Sequence, residues 1–422
     1  MLPLMHSLGI YKRFNSRRRQ FTWPSFGVSD ETRTRHLLAI GKTGMGKSTF
    51  MLNSIVQDIR RGGGCIVIDP KGDLAHDILP TIPPERHKDV IYFDPSDVDF
   101  PIPYNPLRYV ESRHRSRIAA NVLAAFHHLF KDSWGPQLQQ ILRNALLVSL
   151  YTPGASLLDV KFMLTHKTHR AFLLNRVSDN PMLKDYWEFD FAEHMSDKEQ
   201  RDRTLSSLNK LGQFLTDPTL LNILSQPTGF DFGTIMDGQK IFIANLDAGT
   251  IGEDASELLG SLLISSVHSA ALARQDRSFF PVYVDEFHLF GASSYARMVS
   301  ILRGFGVGLT LACQHLAQLD PDLRAAILGT IGTLVAFQTG VEDADKLAPL
   351  FRLTREDDKL HDLPPYVAYV RTPQQTLRLN MPVCDVKTYA TAPRKIIRHC
   401  RDTLAQPRRE VEQQVALFVK AA

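Results

Sequence analysis

Two groups of residues in this chain have the types and spacing of a phosphate-handling site. Gly41-Lys42-Thr43-Gly44-Met45-Gly46-Lys47-Ser48 follows the pattern G-x-x-x-x-G-K-[ST], a loop whose glycines let backbone N–H groups turn inward around phosphate oxygens. The residues after it are expected to begin a helix, whose positive dipole end favours the same anion. In this reading Lys47 neutralises the β and γ phosphates and the Ser48 hydroxyl ligates Mg²⁺. With Thr49 added, the loop residues are the candidate ligands of ATP.

The second group is Val282-Tyr283-Val284-Asp285-Glu286, an apolar run ending in two carboxylates. Asp285 is the candidate metal residue, holding Mg²⁺ through its water shell, and Glu286 is the candidate general base that activates water. Gln314 ends the next apolar run, Leu309 to Cys313, where a polar amide is placed to sense the γ phosphate or orient water. Arg303 lies between these two runs and is a candidate arginine finger for the site of a neighbouring subunit, with Arg324 and Arg352 as competitors. His127, His128 and His288 show no metal-ligand spacing and read as solvated or core histidines.

These side chains need a scaffold, and the apolar patterning supplies one. Short buried-strand runs at 36–40, 65–68 and 90–93 alternate with helical spacing such as Leu52, Ile55, Val56 and Ile59, which predicts a parallel sheet covered on both faces. From about 107 to 229 the alternation stops and long helical patterns take over. Strand-like runs resume at 241–244, 282–284, 308–313, 334–337 and 366–370. The expected fold is therefore α/β, a phosphate-loop domain interrupted by an all-α insertion. Its predicted parts are a basic lead (1–34), a first nucleotide-binding part (35–106), the insertion (107–229), a second nucleotide-binding part (230–390) and a basic, partly helical tail (391–422).

Composition narrows the class further. A chain of 422 residues with 44% hydrophobic and 22% charged content can bury a large core. The formal charge of +4 is too small to mark a nucleic-acid binder by itself, so position matters more than sum. Basic residues gather at Lys12, Arg13 and Arg17 to Arg19, and again at Lys387, Arg394, Lys395, Arg398, Arg401, Arg408 and Arg409. Each group reads either as a solvated tail or as a set of phosphate contacts. Cys65, Cys313, Cys384 and Cys400 form no C-x-x-C pair, in keeping with a reducing compartment. No uninterrupted apolar run reaches membrane-spanning length, since Leu258 to Ala273 is broken by Gly260, Ser261, Ser265, Ser266 and His268.

Taken in order, the motifs resemble the conjugative coupling proteins of type IV secretion (the VirD4/TraG type), within the wider HerA/FtsK class of hexameric DNA motors. Beyond the phosphate loop, the resemblance rests on Ile68-Asp69-Pro70-Lys71-Gly72-Asp73, Phe93-Asp94-Pro95, Asn105-Pro106-Leu107, Val284-Asp285-Glu286-Phe287 and Ala312-Cys313-Gln314-His315, and spans about 35–371. It implies a RecA-like ATPase that moves DNA, single or double stranded, through a homohexameric ring, with relaxase or secretion-channel proteins as partners. It also implies that the insertion is an all-α domain at the ring entrance. Coupling proteins usually begin with transmembrane helices and this chain shows none. The expected location is cytoplasmic, with weak peripheral attachment at the inner face of the membrane through 17–19. Two alternatives stay open: a translocase acting on DNA ends in repair or defence, and a nucleotide-bound docking platform.

Overall fold

The computed structural model describes residues 5–15, 20–22, 24–108, 111–353, 359–382 and 387–422; Arg17, Arg18, Arg19, Trp23 and Cys384 lie outside them. Thirteen strands run in chain order: β1 (Met5–Ile10), β2 (Arg13–Asn15), β3 (Gln20–Thr22), β4 (Ser25–Ser29), β5 (Leu37–Ile40), β6 (Cys65–Asp69), β7 (Val90–Phe93), β8 (Ile241–Asn245), β9 (Phe280–Val284), β10 (Val307–Cys313), β11 (Thr333–Ala336), β12 (Val367–Arg371) and β13 (Thr376–Asn380). Eleven of them form one sheet in the order β4-β1-β13-β12-β11-β5-β10-β9-β6-β8-β7, and β2 with β3 forms a separate hairpin.

From β11 to β7 every neighbouring pair is parallel. The strands of this part are buried from end to end, the mark of a sheet covered on both faces. Strands β12, β13, β1 and β4 extend it as an antiparallel edge. The lead expected as a basic tail is thus in part a sheet element: His6 and Leu8 of β1 are buried, and alternate apolar burial fixes an edge strand more firmly than its charge suggests.

The chain forms two compact units. The first comprises Met1–Phe93, Phe232–Asp247 and Ala270–Ile397, and carries the sheet. Inside it a buried polar cluster ties β1, the helix Lys47–Arg60 and β9 together. Arg33 donates to both carboxylate oxygens of Asp58 (2.7 and 2.6 Å) and to the Tyr283 hydroxyl (2.8 Å), while His6 Nδ1 lies 3.4 Å from Asp58. Burial raises the pKa of Asp58, but the nearby His6 and the bonds from Arg33 outweigh it and hold the carboxyl well below its usual range.

The second unit comprises Asp94–Asp231, Ala248–Ser269 and Arg398–Ala422, so it is larger than the 107–229 stretch expected. Side-chain contacts explain the excess. Tyr104 stacks on Phe230 (5.3 Å between centroids), Asn121 donates to Ser269 Oγ (2.6 Å), and Phe418 near the C-terminus stacks on Phe162 (5.6 Å). Between Ser112 and Asp231 every described element is helical. The longest helix of that stretch, Asp197–Leu215, starts at a capping box of Ser196 and Glu199.

The tail is ordered as two helices, Ala392–Leu404 and Arg408–Ala421. Several of its cations are spoken for: Arg401 forks onto Asp97 (2.7 and 2.9 Å) and Arg408 pairs with Glu412 (2.6 Å). Cys65, Cys313 and Cys400 are buried. Among the described residues one helix, Glu253–Ala273, is long and apolar enough to cross a membrane, and 67% of its apolar window is buried within the protein.

Candidate active site

Strand order builds the site. β5 delivers the phosphate loop, β9 delivers the acid pair, and β10 lies between them, parallel to both. The register sets Cys313 opposite Ile40 and Leu311 opposite Val284, so the three carboxyl ends sit side by side. Ligands of parallel sheets bind in the crevice outside such ends.

Gly46 adopts φ 114° at the start of the helix Lys47–Arg60, a conformation that glycine reaches without cost. A Cβ there would meet the Phe337 ring at 3.1 Å and the Tyr366 backbone at 3.2 Å. The loop is braced by Lys42 N–H donating to Gln338 O (2.8 Å) and Tyr366 N–H donating to Met45 O (2.9 Å). Phe50, Met51, Ile55, Val56 and Ile59 bury the inner face of the helix, with Leu52 only half-buried. Helix N–H groups are thereby aimed at an open pocket lined by Thr43, Gly44, Gly46, Lys47, Ser48, Thr49, Lys71, Asp285, Glu286 and Tyr366.

Lys47 is 7% exposed and its Nζ donates to Gly41 O (2.5 Å). Burial lowers its pKa against the pull of Glu286 and Asp285. Asp285 is also buried, and its carboxyl is raised to about 6 by burial and by the neighbouring Glu286 and Asp69. Unpaired negative charge of this kind suits a divalent cation. Among the described residues no cluster of three or more His, Cys, Asp or Glu side chains is arranged as a metal cage. Ser48 and Asp285 instead match the habit of Mg²⁺, which takes one or two protein oxygens and completes its shell with phosphate and water.

Glu286 is 2% exposed and sits at φ 41°, a left-handed backbone that costs a non-glycine residue about 1–3 kcal/mol. Its Oε1 accepts from Lys71 Nζ (2.5 Å) and from Gln314 Nε2 (2.6 Å). Gln314 Oε1 in turn accepts from the Thr43 hydroxyl (3.1 Å). Burial raises the pKa of Glu286, but the bonds from Lys71 and Gln314 prevail and the net shift is downward. Its Oε2 is buried without a hydrogen-bond partner and lies 3.7 Å from His288 Nδ1. That oxygen is the one free to take a proton from water. The arrangement as a whole fits a nucleoside triphosphate with Mg²⁺: a cradle of amides, a buried ammonium, two carboxylates and a bridging amide.

The fold therefore brings together the phosphate loop, Asp285, Glu286 and Gln314. It does not bring Arg303 to them. Arg303 lies in a short helical turn, Leu302–Phe305, just before β10, and is exposed. It precedes the seven-residue strand whose far end carries Gln314, roughly 20 Å away at about 3.3 Å per residue. Lys71 and Tyr366 had no site role in the sequence reading. Lys71 carried a signal, because it follows Asp69-Pro70 at the end of an apolar run, but nothing in the spacing shows which carboxylate it meets.

A family model described as "Type IV secretory system Conjugative DNA transfer" matches residues 9–324. A comparison with curated proteins finds no match. Among solved structures, the chain is similar to TrwB, a bacterial conjugative coupling protein, in an unbound form, at 14% identity and TM-score 0.62 over 87% of this chain and 88% of that one. The plasmid coupling protein TrwB in complex with ADP and Mg²⁺ aligns at 16% identity and TM-score 0.61, over 85% of this chain and 88% of that one. VirB4 of Thermoanaerobacter pseudethanolicus aligns at 14% identity and TM-score 0.60, over 91% and 97%. At such identities these likenesses establish the fold, a RecA-like phosphate-loop architecture, while the family model, which covers most of the chain, establishes descent. The chain belongs to the type IV secretory system conjugative DNA transfer family.

Proposed function

We propose that the chain is an ATP-hydrolysing DNA translocase of conjugative transfer, working with Mg²⁺ as a homohexameric ring. The observation that carries this reading is the constellation of Lys47, Asp285, Glu286 and Gln314 around one pocket in a chain of this family. A platform that only held nucleotide would have no use for a buried carboxylate with one oxygen left open.

In the proposed mechanism Lys47 leaves Gly41 O for the β and γ phosphate oxygens, and Ser48 and Asp285 hold the metal. Mg²⁺, when bound, neutralises charge that develops on the phosphates. Glu286 takes a proton from water as the water oxygen bonds to the γ phosphorus and the bond to the β–γ bridging oxygen breaks. Gln314, held between Thr43 and Glu286, reports the state of the phosphate loop to the base. Arg303, on the other end of its strand, serves the site of a neighbouring subunit. DNA is the proposed cargo, relaxase or secretion-channel proteins are the proposed partners, and the inner face of the membrane is the proposed place of work.

The test is steady-state ATP hydrolysis by the purified chain with no DNA, single-stranded DNA and duplex DNA, using Glu286→Gln as the blank. Stimulation by DNA supports a translocase and identifies the strand form it tracks. Turnover indifferent to both forms rejects the DNA motor in favour of a protein-handling ATPase.

A further inference from the structure

Lys71 stands on a fixed backbone but carries a free arm. Its N–H donates to Asp69 Oδ1 (3.0 Å), and Asp69 Oδ2 accepts from Ala75 N–H (2.9 Å) at the start of the next helix. The following residue, Gly72, sits at φ 82° with Asn245 Oδ1 only 2.7 Å from where a Cβ would lie, which pins the turn to β8. The side chain itself is 44% exposed, whereas the carboxylate it reaches is 2% exposed. Its ammonium borders the same pocket as the phosphate loop and Lys47.

A carboxylate that receives an ammonium at 2.5 Å on Oε1 is a weakened base at Oε2, since a proton there neutralises the charge that holds the pair. The bond therefore works against the role given to Glu286, unless Lys71 has a better partner when the substrate is in place. A terminal phosphate is such a partner, carrying more charge and three acceptor oxygens. Lysine serves that purpose well, as a point charge on a flexible four-carbon stem.

We infer that Lys71 is a γ-phosphate ligand that holds Glu286 in check and releases it when a nucleoside triphosphate, but not a diphosphate, occupies the pocket. The exchange moves no covalent bond: one ammonium trades a carboxylate oxygen for a phosphate oxygen. Gln314 remains on Glu286 Oε1, so the base keeps its position while losing its counter-charge. Hydrolysis and phosphate departure return Lys71 to Glu286, which ties the activity of the base to the presence of the bond it is to break. This inference rests on Glu286 as the base, and its binding arm stands apart from that assignment.

The experiment uses the full chain with Lys71→Met, which keeps the stem, Lys71→Arg, which keeps the charge, and Glu286→Gln. Affinities for ADP with Mg²⁺ and for a non-hydrolysable ATP analogue with Mg²⁺ are measured by titration, alongside kcat for ATP. Lys71→Met is expected to weaken the analogue by about tenfold or more relative to ADP and to lower kcat by at least a similar factor, with Lys71→Arg recovering part of both. Equal affinity changes for the two nucleotides, or none, with kcat unchanged or raised, would overturn the inference and leave Lys71 as a structural partner of Glu286. Lys71→Gln, a shorter neutral side chain, replaces Lys71→Met if thermal melting shows that variant to be unfolded. Full turnover by Glu286→Gln with a selective loss of analogue binding in Lys71→Met would refute the base and keep the phosphate contact.

Discussion

Replacing Glu286 by Gln tests the centre of the proposed chemistry while disturbing little else. The amide carbonyl can still accept from Lys71 and Gln314, which now meet Glu286 Oε1. Its amino group would occupy the position of Oε2, which has no hydrogen-bond partner and faces His288 Nδ1 at 3.7 Å. The lost ion pair joins a half-exposed lysine to a buried carboxylate, and the neutral amide leaves no unpaired charge in the interior. Against that loss, Asp285 is relieved of the carboxylate that helps raise it to about 6. The fold and nucleotide affinity should therefore survive. Catalysis should not, because a positioned general base is worth about 10²–10⁴ in rate, or about 2.7–5.5 kcal/mol at 1.36 kcal/mol per tenfold. Turnover is read as phosphate release from ATP and affinity by titration with a fluorescent nucleotide. A variant turning over within about threefold of the parent refutes the assignment of the base. A fall in rate matched by an equal fall in affinity refutes the claim that the change is confined to the chemical step.

Other outcomes follow from the same geometry. Lys47→Ala removes the buried ammonium and should weaken nucleotide triphosphate binding by about 10- to 100-fold, at about 1.5–3 kcal/mol per hydrogen bond to a charged group; titration with the non-hydrolysable analogue checks it. Arg303→Ala should leave the isolated chain unchanged and slow the assembled ring by about 10³–10⁵, because the residue lies beyond reach of its own pocket; full activity of the ring variant places the finger elsewhere. His36 is buried at φ 62° with Nδ1 accepting from Leu309 N–H (3.0 Å). Burial, with the Arg303 cation, lowers its pKa to about 4. A group depressed in the folded state contributes stability above its unfolded pKa of 6.5 and loses it as pH falls through the folded value, about 3 kcal/mol by pH 4. Asn tolerates the same backbone, so His36→Asn should gain on the parent by about that amount between pH 7 and pH 4 in urea unfolding, and a constant difference would exclude it.

The sequence by itself determined the parallel sheet and which candidate residues stand at its ends. Runs such as 65–68 and 241–244 are apolar throughout because both faces are covered, and a loop of glycines between strand and helix has few other uses. Of the antiparallel edge only β12 was foreseen, as the run 366–370; β13 escaped notice for the opposite reason, because in Thr376–Asn380 only Leu379 is fully buried, so its pattern is weak and its pairing with β12 and β1 decides its state. The bounds of the helical unit were likewise out of reach, because Phe418 and Ser269 reach it across long stretches of chain. Types and spacing named Glu286 and Gln314, but strand order alone put β10 between β5 and β9 and so joined Thr43, Gln314 and Glu286 in one chain of hydrogen bonds. It also put Arg303 at the far end of its strand and Lys71 on the Glu286 carboxylate. Such partnerships depend on which strands are neighbours, a property of the folded sheet that no local pattern encodes.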